Sequence, residues 1–211
     1  MKILYKYKNI VNFYKENINY FGTTNKGIGW SSPKAKNLRY KTITEIIQKS
    51  KYKKEFHLLD FGCGLSGFFL HLEKKRITFK YSGIDTSLKI IKYCKKKFKH
   101  NKYYNFDILK NDKNIGKFDI VILNGIFTIK ANLKDNEMYL YIFEILKTIK
   151  KKTKGLMIIN FLTDKPDWKN EKNFYPRYDI LKKFIKQKIS KKIDIINLPQ
   201  IFEKIIVIEL K

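Results

Sequence analysis

Arginine is nearly missing from a chain otherwise crowded with positive charge. Only Arg39, Arg76 and Arg177 occur, within a Lys+Arg total of 46 and a formal charge of +27. Readout of bases and phosphates leans on the arginine fork. A charge built from lysine therefore argues against a nucleic-acid substrate and favours a solvated lysine surface. Cysteine is equally scarce. Cys63 lies in a glycine-rich stretch and Cys94 in a lysine-rich helix, which argues against a disulfide framework or a zinc site and suits a reducing cytoplasm. No metal site is expected. No apolar run of about 18 residues is present, so no membrane span is expected. The opening stretch MKILYKYKNIVNFYKENINYFG is charged and aromatic throughout and lacks the apolar region of a signal peptide.

What is present is an alternation of strand and helix. Residues 34–50 read as a helix with Leu38, Ile43, Ile46 and Ile47 on one face. FHLLDF (56–61) reads as a strand, followed by a helix from Ser66 to Lys75. FKYSGID (79–85) is a second strand. A helix over 87–99 follows, with Ser87 as its N-cap. KYYNFD (102–107), FDIVILNG (118–125) and GLMIINFL (155–162) are further strands, with a long helix over 136–151 between the last two. Pro176 suits the first turn of a helix ending near Lys188. KIDIINL (192–198) and KIIVIEL (204–210) form a closing hairpin, which makes the last strand antiparallel. This is an α/β layout with helices on both faces of a mostly parallel sheet. Residues 1–33 read as an aromatic N-terminal extension folded over a domain spanning 34–211.

Gly62, Gly64 and Gly67 match G-x-G-x-x-G between a strand and a helix, which marks a ligand crevice at the carboxyl edge of the sheet. The spacing by itself leaves NAD open. Asp60 bears on the choice. A dinucleotide would bring an anionic pyrophosphate to this turn, and a carboxylate two residues before Gly62 repels it. S-adenosylmethionine brings an ammonium and a sulfonium, which Asp60 complements. Asp85, closing the second strand, suits both ribose hydroxyls of a nucleoside. Asp107 is placed to accept from an adenine amino group or, alternatively, to cap a turn. Phe106 offers apolar contact and a backbone amide.

The chain resembles the class I S-adenosylmethionine-dependent methyltransferases. LLDFGCGLSG looks like their first motif, YSGIDTS their acidic loop, NFDIL their third motif and FDIVILNGIF their fourth. The resemblance implies a Rossmann-like three-layer sandwich with a seven-stranded sheet in the order 3-2-1-4-5-7-6. It also implies S-adenosylmethionine as cofactor, S-adenosylhomocysteine as product, and cofactor contacts from Asp60, Gly62, Cys63, Gly64, Gly67, Asp85, Thr86, Phe106, Asp107, Asn124 and Gly125. GIGWSSPKAKNLRY is similar to a stretch in a bacterial subgroup of small methyltransferases, many of them associated with surface polysaccharide or capsule synthesis.

Methyl transfer from a sulfonium asks mainly for alignment and exclusion of water. An alcohol acceptor gains from a base, for which Asp164 is the candidate; an amine needs only to arrive neutral. Asn124-Gly125-Ile126-Phe127 lacks the Pro-Pro-aromatic turn of enzymes acting on exocyclic base amines. Lys26, Lys34, Arg39, Lys130, Lys165, Lys172 and Arg177 are expected at the site edge, and Tyr14, Tyr20, Trp30 and Tyr175 as acceptor walls or simple packing. Together they suggest a small anionic acceptor, phosphorylated or nucleotide- or sugar-linked. The alternatives are an RNA methyltransferase using the basic surface, a non-catalytic cofactor-binding protein and an NAD reductase.

Overall fold

The computed structural model describes residues 5–30, 32–52, 55–110 and 115–210. Residues 1–4 and 31 of the expected extension, and 53–54, 111–114 and 211 of the expected domain, lie outside the described residues. Among the described residues, six helices and seven strands follow in order: α1 (Lys8–Phe21), α2 (Pro33–Lys49), β1 (His57–Phe61), α3 (Gly67–Lys74), β2 (Lys80–Ile84), α4 (Leu88–Lys97), β3 (Lys102–Tyr104), β4 (Phe118–Leu123), α5 (Asp135–Lys152), β5 (Thr153–Leu162), α6 (Tyr178–Lys188), β6 (Lys192–Leu198) and β7 (Glu203–Glu209). They build one sheet in the order β3-β2-β1-β4-β5-β7-β6. The strands from β3 to β5 pair in parallel, and β7 runs antiparallel to both β5 and β6. A short 3-10 turn over Pro199–Ile201 leaves too little chain for a parallel crossover, so the hairpin fixes that direction.

The strand sequences are apolar on both faces because both faces are covered. Leu59, Val121, Leu123, Met157 and Ile159 pack with Met138, Ile142 and Leu146 of α5 and Leu181 and Ile185 of α6. Their strand neighbours Leu58, Ile120, Ile122 and Ile158 face the other way, onto Ile43 and Ile47 of α2, Phe68 and Leu72 of α3 and Ile90 and Ile91 of α4. The period of two within a strand thus feeds two cores.

Several boundaries differ from the sequence expectation. β3 stops at Tyr104 because the chain turns at Asp107, whose Oδ1 accepts from Leu109 N at 3.1 Å. β4 stops at Leu123, ahead of Gly125 at φ +83°. α6 begins at Tyr178, so Pro176 precedes the helix instead of sitting in its first turn. Ser87 caps α4 as expected, its Oγ accepting from Ile90 N at 3.4 Å. The extension contains a helix, α1, that its dense lysines and asparagines had obscured. Lysines crowd the last turns of α4 and α5, where the helix dipole favours cations. Those ends lead into the strand starts, opposite the glycine-rich loop.

Candidate active site

The loop after β1 is stitched to the end of β2. Gly62 N and Cys63 N both donate to Ile84 O, at 2.9 and 3.0 Å. Gly62 has φ +75° and Gly64 φ +48°, values that disfavour any side chain. A Cβ on Gly62 would collide with Ile126 Cγ2, and one on Gly64 would lie 3.0 Å from Ile28 Cδ1. Backbone approaches within van der Waals range on both sides, and the loop opens onto a cavity of about 510 Å³.

Three carboxylates stand in its wall. Asp60 is 4 % exposed and accepts from the Tyr81 hydroxyl at 2.8 Å. Burial drives its pKa from 3.8 to about 7, against the lowering effect of the Tyr81 bond, and Asp85 adds to the rise. Asp85 accepts from Gly64 N at 3.2 Å and Ser87 N at 2.8 Å, and burial raises its carboxyl too. Asp107 uses one oxygen for its turn and takes the Tyr7 hydroxyl on the other at 2.5 Å. Two acids with raised pKa values beside a glycine loop form a site that welcomes a cation and resists a diphosphate. That donor set fits a sulfonium nucleoside with an amino-acid tail. Asp60 would answer its ammonium, Asp85 its ribose hydroxyls, and the bound donor would supply an electrophilic methyl group.

α1 and the segment before α2 also line the cavity. Tyr7, Ile10, Tyr14 and Ile18 from α1 and its first turn face the cavity, and Lys89 Nζ reaches back from α4 to Asn19 Oδ1 at 2.8 Å. Tyr14 Oη and Thr128 Oγ1 both donate to Gly125 O, at 3.3 and 3.2 Å. Burial pushes the Tyr14 phenol up to about 12, so it is a donor and not a base at neutral pH. Trp30 covers Gly125, and the Arg39 guanidinium lies 4.6 Å from the Trp30 ring. Arg39 in turn binds Glu203, Glu203 accepts from Asn160 Nδ2 at 2.9 Å, and Asn160 Oδ1 accepts from Gly125 N at 2.5 Å. A chain of side chains thus runs from α2 to the turn after β4. Asn124, next to it, is 8 % exposed, and its Oδ1 is buried with no partner.

The structure gathers Asp60, Gly62, Cys63, Gly64, Gly67, Asp85, Thr86, Phe106, Asp107, Asn124 and Gly125 around this one cavity, with Tyr14 and Trp30 beside them. The remaining expected acceptor residues lie outside its lining. Arg39 is committed to Glu203, Lys130 to Asp135 at 2.8 Å and Arg177 to Asp179 at 2.7 Å. Tyr20 is 83 % exposed. Tyr175 lines a separate depression of about 150 Å³ with Trp168 and Phe202. Asp164 pairs with Lys204 Nζ at 2.7 Å, away from the cavity. Residues that the sequence reading passed over include Tyr7, Tyr81, Lys15, Lys36 and Asn160. For the α1 side chains a signal existed: Tyr7, Ile10, Tyr14 and Ile18 recur at helical spacing. Nothing local marks Tyr81 or Asn160. Among the described residues no group of side chains could hold a metal ion, and no helix is long and apolar enough to cross a membrane.

Comparison with known proteins agrees with this geometry. Curated proteins give no match. Among solved structures, magnesium protoporphyrin IX methyltransferase from Synechocystis PCC 6803 with bound SAH is similar at 11 % identity. The match covers 83 % of this chain and 84 % of that one, with a TM-score of 0.64. N-methyltransferase NodS from Bradyrhizobium japonicum WM9 is similar at 11 % identity, over 85 % and 98 % of the two chains, with a TM-score of 0.60. The PH0226 protein from Pyrococcus horikoshii OT3 shares 17 % identity over 86 % and 93 %, with a TM-score of 0.58. These likenesses show the fold. A family model described as a methyltransferase domain matches residues 52–204, from just before β1 into β7. The chain therefore belongs to the methyltransferase-domain family, within the class I enzymes that use S-adenosylmethionine.

Proposed function

We propose that this methyltransferase transfers its methyl group to an oxygen or nitrogen of a small, polar, anionic acceptor. The observation that carries this reading is the covered cavity. α1 roofs it, which suits a small molecule better than a polymer. Lys15 and Lys36 line it and have no carboxylate partner among the described residues, so a phosphate or carboxylate on the acceptor would find cations there. Asp60 and Asp85 favour the donor, and Trp30 and Tyr14 flank the turn at Gly125 where the methyl group would be presented. The residues would align and desolvate the partners while the acceptor brings its own nucleophile. The cofactor and acceptor roles of individual residues belong to this proposal. So do a cytoplasmic setting and a place in surface-polysaccharide or capsule synthesis, the latter supported by the similarity of residues 27–40.

Calorimetry with S-adenosylmethionine, followed by mass-spectrometric screening of phosphorylated metabolites and nucleotide sugars for addition of one methyl group, tests the proposal. The expected result is cofactor binding that Asp85→Ala weakens about a hundredfold or more, and methylation of an anionic acceptor. Unchanged binding in Asp85→Ala, or turnover confined to RNA, overturns it.

A further inference from the structure

Cys63 and Cys94 meet at one carbonyl. Cys63 Sγ lies 3.8 Å from Gly64 O, and Cys94 Sγ lies 3.2 Å from the same oxygen. Ser66 Oγ, in the left-handed turn that opens α3, donates to Cys94 Sγ at 3.4 Å. Both side chains are buried and both are free thiols. They differ in access, because Cys63 faces the cavity and Cys94 lies behind it on α4. The chemistry of methyl transfer needs neither thiol.

We propose that Cys63 and Cys94 form an oxidative modification site: a peroxide entering the cavity joins them as a disulfide, and the cross-link closes the glycine loop to S-adenosylmethionine. One thiol attacks a peroxide oxygen, becomes a sulfenic acid and releases one water. The second thiol attacks that sulfur, forms the S–S bond and expels a second water. The two thiols lose two protons and two electrons, and the peroxide is reduced to two waters. The Cys63 thiol is pushed up by its Cys94 neighbour and by burial, whereas the Cys94 thiol is lowered by its Cys63 neighbour and by the Ser66 bond, so the cavity-facing thiol reacts slowly with peroxide and Cys94 supplies the thiolate for the second step.

The consequence follows from position. A disulfide brings its sulfurs to about 2.05 Å, whereas here they flank the Gly64 carbonyl. Closing that gap displaces the Gly64 carbonyl, and the N–H of the same residue, in the peptide just before it, donates to Asp85 Oδ2 at 3.2 Å. Oxidation therefore disturbs the loop and the second acid together. Space for the movement is limited, because a Cβ on Gly83 would already lie 2.8 Å from Cys63 Sγ. The link thus shifts the loop and leaves the strand in place.

The proposal rests on the cofactor reading of this loop, and the experiment separates the two. The full-length protein is treated with millimolar hydrogen peroxide, quenched with catalase, alkylated and peptide-mapped without reductant. S-adenosylhomocysteine affinity is measured by calorimetry before oxidation, after it, and after dithiothreitol. The expected result is a Cys63–Cys94 peptide, loss of two hydrogens from the intact mass, and affinity weakened about tenfold or more, with dithiothreitol restoring it. Saturating S-adenosylhomocysteine slows cross-linking. Cys94→Ala, treated in parallel, keeps its own untreated affinity. Absence of the cross-link, or a cross-linked protein with unaltered affinity, overturns the proposal. Failure of the reduced wild type to bind would overturn the cofactor reading, and this proposal with it.

Discussion

The guanidinium of Arg39 grips the carboxylate of Glu203 at two points, Nε to Oε2 at 2.7 Å and Nη2 to Oε1 at 2.6 Å, across 164 residues of sequence. This pair fastens α2 to β7, and through Asn160 it fixes the turn at Gly125. Fork-on-fork geometry makes it strong, and Glu203 is 3 % exposed. Arg39→Ala leaves that carboxylate buried and unpaired, so a loss of about 3–5 kcal/mol in urea unfolding is expected. A loss under about 1 kcal/mol would mean that the pair behaves as a surface bridge.

The role proposed for Asp60 predicts that cofactor affinity depends on pH. Its carboxyl is half protonated near pH 7 in the free protein, and an ammonium group needs the ionised form. Affinity for S-adenosylmethionine should fall below neutrality, by up to about tenfold per pH unit, and Asp60→Asn should bind weakly with a flat profile. Calorimetry from about pH 5.5 to about 8.5, spanning both sides of that pKa, reads both. A wild-type profile that is itself flat contradicts the assignment.

The same residue sets a stability trend of opposite sense. The folded-state carboxyl titrates near 7 and the unfolded one near 3.8, so the folded form holds the extra proton between them. Its contribution to stability is fully present below about pH 4 and is lost as pH rises through about 7. Asp60→Asn, which still accepts from Tyr81, should therefore raise the melting temperature of the free protein at pH 8 by a few degrees. A lower melting temperature at pH 8 would show that the ionised carboxylate is well satisfied.

Gly64 separates a backbone requirement from a packing one. Gly64→Ala meets both a left-handed φ and Ile28 Cδ1. A destabilisation of about 1–3 kcal/mol and loss of cofactor binding are expected. Adding Ile28→Ala relieves the contact but not the φ, so only part of the stability should return. Complete rescue would place the whole cost in packing.

Lys15 and Lys36 are predicted to act on the acceptor alone. Replacing both by alanine should raise the acceptor KM about tenfold or more, as loss of binding made equally in ground and transition states does, with cofactor affinity little changed. A fall in kcat at constant KM would assign them to alignment instead.

Much of the fold was legible because it is written in short-range patterns. Apolar strands such as FDIVIL announce burial on both faces, and the brief link before β7 announces a hairpin. The glycine spacing with Asp60 and Asp85 marked the cavity, since loop and acids lie at consecutive strand ends in a parallel sheet. The acceptor end was less legible. Arg39, Lys130, Arg177 and Asp164 have suitable chemistry, yet each spends it on a partner that no local pattern reveals.

Sequence alone determined the sheet, its order through family resemblance, and the sulfonium-friendly chemistry beside β1, because charge and conformational preference are properties of individual residues and their near neighbours. Tertiary structure decided which polar groups remain available. It set Tyr81 on Asp60, Tyr7 on Asp107 and Glu203 on Arg39, and it brought Cys94 and Cys63 to one carbonyl. These are contacts between distant segments, and burial gives them their force by removing the water that would otherwise compete.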